Sequence, residues 1–183
     1  TIVIDGDKSV TAQFAEGVYT LTVMVVGQGG IAVSPSQPDY PFGAQVTLTP
    51  TAASGWVFVG WEGDLSGGDA PASVVMDGDK QVTARFGRTP AGLVTSHEGG
   101  QVIITPEEPY YNLGDEVSLE AIPNEGWRFV EWRLDSGAAA SALYTTENPL
   151  HIVIDGQTTY APVFAPLAPG VDANLLFLPV VMQ

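Results

Sequence analysis

The chain has 183 residues, of which 45% are apolar, a composition typical of a folded protein with room for one large domain or two small ones. Its 21 Asp and Glu against 6 Lys and Arg give a net charge of −15, which disfavours nucleic acid and anionic lipid surfaces as partners. There is no cysteine, which excludes disulfides, zinc–thiolate sites and thiol catalysis. No apolar run approaches the ~20 residues of a membrane-spanning helix.

The first predicted element is a hairpin in residues 1–15. A β-branched strand precedes the dipeptide Asp5-Gly6, which favours a two-residue turn, and Phe14 ends the second strand. This hairpin is either the last piece of a preceding repeat or the start of the first unit. Because the chain begins at Thr1, with neither methionine nor a signal peptide, we expect a mature or excised fragment of a larger protein.

Residues 16–87 form the first predicted repeat unit. Apolar and polar residues alternate in residues 19–25 and again in residues 46–49, with the period of two that is typical of strands. Three prolines between positions 35 and 41 interrupt the chain between strands. The unit ends on residues 74–86, which repeat the sequence of the first hairpin, so the chain contains internal repeats.

Residues 88–165 form the second predicted unit, joined to the first near the Pro/Gly-containing segment of residues 87–92. Residues 126–132 repeat residues 55–61, since both read Gly-Trp-x-Phe-x-x-Trp. A third copy of the hairpin lies in residues 152–164 and ends the unit. The chain therefore holds two body units and three copies of one hairpin.

Residues 166–183 form an apolar tail after the third hairpin. Successive positions in residues 175–182 are apolar on both faces of an extended chain, as in a strand buried on two sides. Pro179 has no N–H group and fits an edge or a bulge. We predict a C-terminal capping strand that covers the last exposed edge and core of the array.

These patterns predict an all-β fold of tandem small β-sheet units, each a sandwich or an open, barrel-like sheet, with little or no helix. The predicted core of the first unit consists of Leu21, Val23, Val46, Leu48, Phe58, Trp61, Val82 and Phe86. That of the second consists of Val102, Ile104, Val117, Leu119, Phe129, Trp132, Ile152, Ile154 and Phe164.

Each unit presents its motifs in one order: a strand, a Gly-rich turn, Tyr-Pro-x-Gly, Val-Thr-Leu-Thr, Gly-Trp-x-Phe-x-Gly-Trp and Met-Asp-Gly-Asp-Lys-x-Val-Thr-Ala-x-Phe. This order resembles the divergent internalin-B-type repeat of large bacterial surface and secreted proteins. The resemblance is close over residues 19–86 and looser over residues 93–164, where Glu131 replaces the Gly before the second Trp. It implies small β units strung as stalks or spacers, with no catalytic residues to carry over.

Four aromatic residues are the candidate ligand-facing side chains: Trp56, Trp127, Tyr40 and Tyr111. Aromatic rings on a β surface can stack on sugars. On a regular strand, however, Trp56 and Trp61 lie on opposite faces unless a bulge intervenes, so one of each pair at most lines a shared platform. Large aromatic side chains also dominate small cores, which favours core packing for the second Trp of each pair.

The acidic clusters and the two histidines form no recognisable chemical site. Asp-Gly-Asp at residues 5–7 and 77–79 matches hairpin-turn chemistry and lacks the pattern of a calcium-binding loop. His97 and His151 occupy different places in the repeat, and no nucleophile–base pattern accompanies them. We expect no catalytic site, no cofactor and no metal, with weak calcium binding left open.

The predicted function is a non-catalytic extracellular module, a spacer, stalk or adhesion segment of a larger bacterial surface or secreted protein. We expect it to be monomeric as a fragment, without nucleic acid binding or membrane insertion, and with an unknown protein or glycan as partner. The alternative is a carbohydrate- or protein-binding module that uses exposed aromatics. An enzyme domain, the third hypothesis, requires a cleft with convergent ionisable groups.

Overall fold

The computed structural model describes residues 6, 7, 9, 11, 17–95, 97–136 and 143–168. They form two similar β units, which confirms the predicted all-β tandem repeat fold. Most of the leading hairpin, and residues 169–183 with the predicted capping strand, lie outside the described residues. In chain order the elements are β1 Val18–Tyr19, β2 Leu21–Val26, β3 Gly29–Ser34, β4 Tyr40–Pro41, β5 Ala44–Ala52, β6 Trp56–Gly63, β7 Ala72–Met76, β8 Lys80–Arg88, α1 Pro90–Leu93, β9 Gly100–Thr105, β10 Glu116–Pro123, β11 Trp127–Asp135, β12 Leu143–Thr145, β13 Leu150–Val153 and β14 Thr159–Pro166.

Unit 1 is built from two three-stranded sheets and a short two-stranded pair. One sheet has the order β2-β8-β6, in which β2 and β8 run parallel, and the other has the antiparallel order β3-β5-β7. The pair β1-β4 closes one end. Alternate residues of β5 and β8 are buried, so the apolar faces of these strands form the core, as the period of two in the sequence predicts.

Unit 2 repeats these two sheets. The order β9-β10-β13 corresponds to β3-β5-β7, and the order β12-β11-β14 places β11 beside β14 as β6 lies beside β8. The first strand differs: six residue pairs join β2 to β8, whereas a single parallel bridge, Val94 to Tyr160, occupies that place in unit 2. Before Val94 the chain makes the single helical turn α1, which is capped by Thr89.

A β-bulge in the Trp-containing strand of each unit decides which way the aromatic rings point. In β6 the register shifts between Phe58 and Gly60, and in β11 it shifts between Phe129 and Glu131. The extra residue places Trp61 on the same face as Trp56, rather than on the opposite face expected for a regular strand. Each bulge thereby directs both tryptophans of its unit toward the covered side of the sheet.

The predicted core residues lie inside the two units. Val46, Leu48, Trp61, Val82 and Phe86 are buried in unit 1, as are Val117, Leu119, Trp132 and Ile154 in unit 2. The remaining predicted core residues are partly buried and pack against these clusters: Leu21, Val23, Phe58, Val102, Ile104, Phe129, Ile152 and Phe164.

Helix is confined to α1 among the residues that the structure describes. No helix there is long and apolar enough to cross a membrane.

Candidate functional site

Two of the four candidate aromatics, Tyr40 and Tyr111, are buried and serve the fold of their own unit. Tyr40 is 2% exposed and its hydroxyl donates to Pro35 O over 2.9 Å. Tyr111 is 1% exposed and donates to Pro106 O over 2.8 Å, the same contact in the second unit. Each phenol thus fixes the loop that follows β3 or β9, and neither ring presents a surface on which a sugar could stack.

Trp56 and Trp127 occupy equivalent positions but different surroundings. Trp56 begins β6 and is 8% exposed, because it lies where unit 2 meets unit 1. Trp127 begins β11 and is only partly buried, with its ring against Gly99. The structure therefore brings Trp56 and Tyr111 to one junction and leaves Trp127 at the far end of unit 2.

The backbone at the junction passes directly from one unit to the next. Arg88 is the last residue of β8, where it pairs with Trp56, and it also forms an isolated bridge with Tyr111 of unit 2. The Arg88 N–H donates to Tyr111 O over 2.7 Å, and the Tyr111 N–H donates to Arg88 O over 2.8 Å. One residue thus belongs to a strand of unit 1 and forms a β-bridge to unit 2, so the segment predicted to join the units is itself folded.

The Arg88 side chain is buried at this junction, with 5% of its surface exposed. Its Nε and Nη2 donate to Gly92 O over 3.1 and 2.6 Å, Nη2 also donates to Thr158 O over 3.3 Å, and the guanidinium lies 5.6 Å from the centre of the Trp56 ring. A buried charge needs such partners, and here backbone carbonyls and an aromatic face supply them. Burial lowers the pKa of Arg88, and the negative charge of Asp155 opposes that shift.

Asp155 is the carboxylate whose charge acts on Arg88. It also closes the turn before β14. Its carboxylate accepts hydrogen bonds from the backbone N–H groups of Gln157 and Thr158, both over 2.9 Å, and from Thr158 Oγ1 over 2.6 Å. Burial by itself raises the pKa of Asp155, but these hydrogen bonds and the charge of Arg88 outweigh it, so the net shift is downward. The turn is thereby fixed beside the buried guanidinium.

Further contacts join the units around Arg88. Gln28 Nε2 donates to Gly156 O over 3.1 Å, and Thr89 N–H and Oγ1 both donate to Gly55 O, over 2.9 and 3.1 Å. Gly92 lies so close to Gly55 that a Cβ on Gly92 would overlap Gly55 O. The two backbones meet without an intervening side chain, which glycine alone permits.

The acidic clusters act as turn anchors in the described residues. Asp77 pairs with Lys80 over 2.6 Å, Asp79 accepts from Thr20 N over 2.8 Å, and Asp64 accepts from Gln81 N over 2.7 Å. Within the described part of the chain, no three His, Asp or Glu side chains gather as a metal-binding group.

The two histidines remain separate, as their different places in the repeat predict. His97 precedes β9, where its Nε2 shares a hydrogen bond of 2.8 Å with Thr95 Oγ1, and its pKa is lowered by burial and then by the charge of Arg133. His151 is exposed on β13. The hydrogen bond between Thr95 and His97 lies at the exposed surface.

Sequence reasoning missed Arg88 and Gln28, which form the junction with Trp56. The available signal was local: Arg88 is a cation that follows the last core residue of the hairpin, Phe86, by two positions, where the third hairpin has Pro166 after Phe164. A charged residue at the end of a buried strand is unusual unless it is paired, which points to a partner across the boundary.

Comparison with known proteins agrees with the duplicated architecture. The model of the divergent InlB B-repeat domain matches residues 19–90 and again residues 93–166, one match for each unit. No curated protein and no solved structure matched the chain. The two matches together span most of the chain, and their bounds agree with the two stretches that carry the motif order. The chain therefore belongs to the divergent InlB B-repeat domain family, as a tandem pair of bacterial repeat units.

Proposed function

We propose that this tandem pair is a non-catalytic spacer module of a bacterial surface or secreted protein, in which the folded junction sets a fixed orientation between successive units. The observation that carries the proposal is the buried Arg88, which bonds to carbonyls of the linking turn and of unit 2 while its backbone pairs with Tyr111. A spacer must transmit length and direction, and both depend on how its units are joined.

The absence of a slack linker at this junction supports the proposal. Domains joined by flexible segments move relative to each other by default. Here β8 ends at Arg88, Thr89 caps α1, and the chain re-enters unit 2 at Val94 through its bridge to Tyr160. Hydrogen bonds tie both ends of this passage to the units, at Arg88 and Thr89 on one side and at Thr95, whose N–H donates to Tyr160 O, on the other. Bending at the junction therefore has to break several of these bonds together.

The acidic surface suits a module that is displayed at high density. A net charge of −15 on 183 residues produces mutual repulsion between neighbouring copies, which keeps such a chain soluble and separate. This charge is consistent with a location outside the cytoplasm that the family also suggests, and it supports the assignment as spacer without requiring a specific ligand.

The alternative, a glycan- or protein-binding module, has less support. Its predicted surface required exposed aromatics, and three of the four, Trp56, Tyr40 and Tyr111, are at most 8% exposed. Trp127 is the one that keeps partial exposure. A glycan array probed with the full chain and with Trp127→Ala tests this alternative, which is supported only by binding that the substitution removes.

The spacer proposal is tested by measuring the distance between the units. The chain contains no cysteine, so Val75→Cys and Val153→Cys, two exposed valines on the equivalent strands β7 and β13, give one spin label in each unit. Double electron–electron resonance should yield one narrow distance distribution that does not change with salt. A broad or multimodal distribution contradicts the proposal, because it means that the junction bends freely.

A further inference from the structure

We call the end of unit 2 that contains Gly126, Trp127 and Leu167 the distal end. It corresponds to the end of unit 1 that meets unit 2, and it has the same backbone geometry without the polar side chains of the junction. The chain leaves both units in the same way: Leu167 N–H donates to Gly126 O over 2.7 Å, as Thr89 N–H donates to Gly55 O over 2.9 Å. The segment that follows Leu167 therefore starts at the surface that corresponds to the one covered in unit 1.

The side chains of Arg88 and Gln28, which attach unit 2 to unit 1, have no equivalents among the described residues of the distal end. Pro166 pairs with Trp127 where Arg88 pairs with Trp56, and proline has neither a guanidinium nor an N–H to donate as Arg88 does to Tyr111. Gly99 takes the place of Gln28, since Asn124 N–H donates to Gly99 O as Ala53 N–H donates to Gln28 O. The distal end thus cannot hold another repeat by the contacts of the junction.

Apolar surface remains at the distal end instead. Trp127 and Leu167 are partly buried and Pro166 is exposed. Phe164 is also partly buried, whereas its counterpart Phe86 is 2% exposed. A cluster of partly exposed large apolar side chains beside the end of a sheet is a surface that a cap would cover.

The next segment of the chain has matching chemistry. Residues 175–182 read Leu-Leu-Phe-Leu-Pro-Val-Val-Met and carry no charge. Residues 169–174, which include Pro169 and Gly170, connect them to the end of unit 2. A connection of this length extends up to about 20 Å, which is enough to fold back over the end of one small unit.

From these observations we propose that residues 175–182 dock on the distal end of unit 2, against Trp127 and Leu167, where they occupy the place that unit 2 takes on unit 1. The tail is the first apolar segment to reach this surface and is tethered to it, so its effective concentration there is high. Docking buries apolar side chains on both sides.

The tryptophan indole resonances give a direct test in the full chain. A nitroxide on Met182→Cys should weaken the indole N–H signal of Trp127 several-fold in a nitrogen-15 spectrum. The signal of Trp56, which belongs to unit 1 and is buried at the junction, should not change. Equal effects on Trp127 and Trp56, or no effect on either, would falsify the docking.

A matched variant and a mixing experiment identify the occupant. Adding Leu176→Asp and Leu178→Asp to the labelled chain keeps the tail length, removes its apolar character, and should restore the Trp127 signal. A signal that stays weak contradicts apolar docking. Mixing nitrogen-15 chain without a label and labelled chain without nitrogen-15 should leave Trp127 unchanged. Loss of the Trp127 signal in the mixture means that a second copy supplies the tail, which overturns the proposal.

Discussion

Unit 1 contains a full strand, β2, paired along six residues with β8, whereas unit 2 has in its place the helical turn α1 and one bridge at Val94. Unit 2 also has β12 beside β11, where unit 1 has only an isolated bridge between Trp61 and Gly67. The remaining strands recur with the same partners and with the bulge at the same place. The strands that recur carry the fully buried core residues, whereas β2 contributes the partly buried Leu21 and Val23. The segment that differs also links the units, where Pro90 fits the first position of a helix and Gly92 accepts from Arg88. Core packing thus specifies the strands that the two units share, and the junction specifies the replacement of β2 by α1.

The largest expected effect separates the covered from the uncovered end of a sheet. Replacing Phe86 by alanine should destabilise unit 1 by about 3–5 kcal/mol, because the ring is fully buried and packs edge-on against Phe58 at 5.7 Å. Phe164→Ala, made in the chain that also carries Leu176→Asp and Leu178→Asp so that the tail does not cover the distal end, removes the same ring from a partly buried position and should cost clearly less. Denaturant unfolding of the two variants measures both losses, with the unfolding of each unit followed by the indole N–H resonances of its own tryptophans. Equal losses contradict the difference in burial.

The next effect concerns the junction itself. Arg88→Ala removes the charged hydrogen bonds to the carbonyls of Gly92 and Thr158 and should cost about 1.5–3 kcal/mol. It should also broaden the distance distribution between labels on Val75→Cys and Val153→Cys, because the side-chain contacts between the units are lost. Spin-label distances and denaturant unfolding measure the two effects.

Arg85→Ala is the matched control for this prediction. Arg85 lies on the same strand as Arg88 but makes only an exposed ion pair with Glu62, at 3.3 Å, so its loss should cost less than about 1 kcal/mol and leave the label distances unchanged. If Arg88→Ala resembles Arg85→Ala in both measurements, Arg88 does not hold the units together.

The fold was predictable because its signals are local and occur twice. Alternation in the strands, Asp-Gly turns and the repeated Gly-Trp-x-Phe motif specify the two units and most of their core. Burial of both Trp56 and Trp61 was not predictable. It depends on the bulge after Phe58, which brings Trp61 to the face of Trp56, and on the approach of unit 2, and neither leaves a periodic signal. Arg88 escaped notice for a related reason: its partners, Gly92 O and Thr158 O, are backbone atoms that exist only once both units are folded.

A smaller effect tests how closely the two backbones approach. In Gly92→Ala the new Cβ would overlap Gly55 O and come within 2.6 Å of Gly55 Cα, so the junction must open, at a cost of about 1–3 kcal/mol. Gly30→Ala is the control, since nothing lies within 4 Å of its Cβ position, and we expect a change within about 0.5 kcal/mol. Thermal unfolding of both variants measures the difference, and a neutral Gly92→Ala means that the glycine contact is not tight in solution.

The smallest effect concerns the turns of the second and third hairpins, whose contributions to stability both depend on pH but should differ in their dependence on salt. The pKa of Asp155 is lowered in the folded state, so its charge adds stability that is complete above the unfolded pKa of about 3.9 and is lost as the pH falls through the folded value. Asp155→Asn should therefore destabilise by less than about 1 kcal/mol near pH 7, since the carboxylate is solvent-exposed, and the gap to the natural sequence should narrow near pH 3. Asp77→Asn instead removes an exposed ion pair with Lys80, so the loss of stability that it causes should also shrink in 1 M salt. Most of the loss caused by Asp155→Asn should remain in 1 M salt, because neutral hydrogen-bond donors hold the carboxylate of Asp155. Thermal midpoints at the two pH values and the two salt concentrations measure these gaps. A gap for Asp155→Asn that is the same at both pH values shows that the turn does not depend on the charge of Asp155.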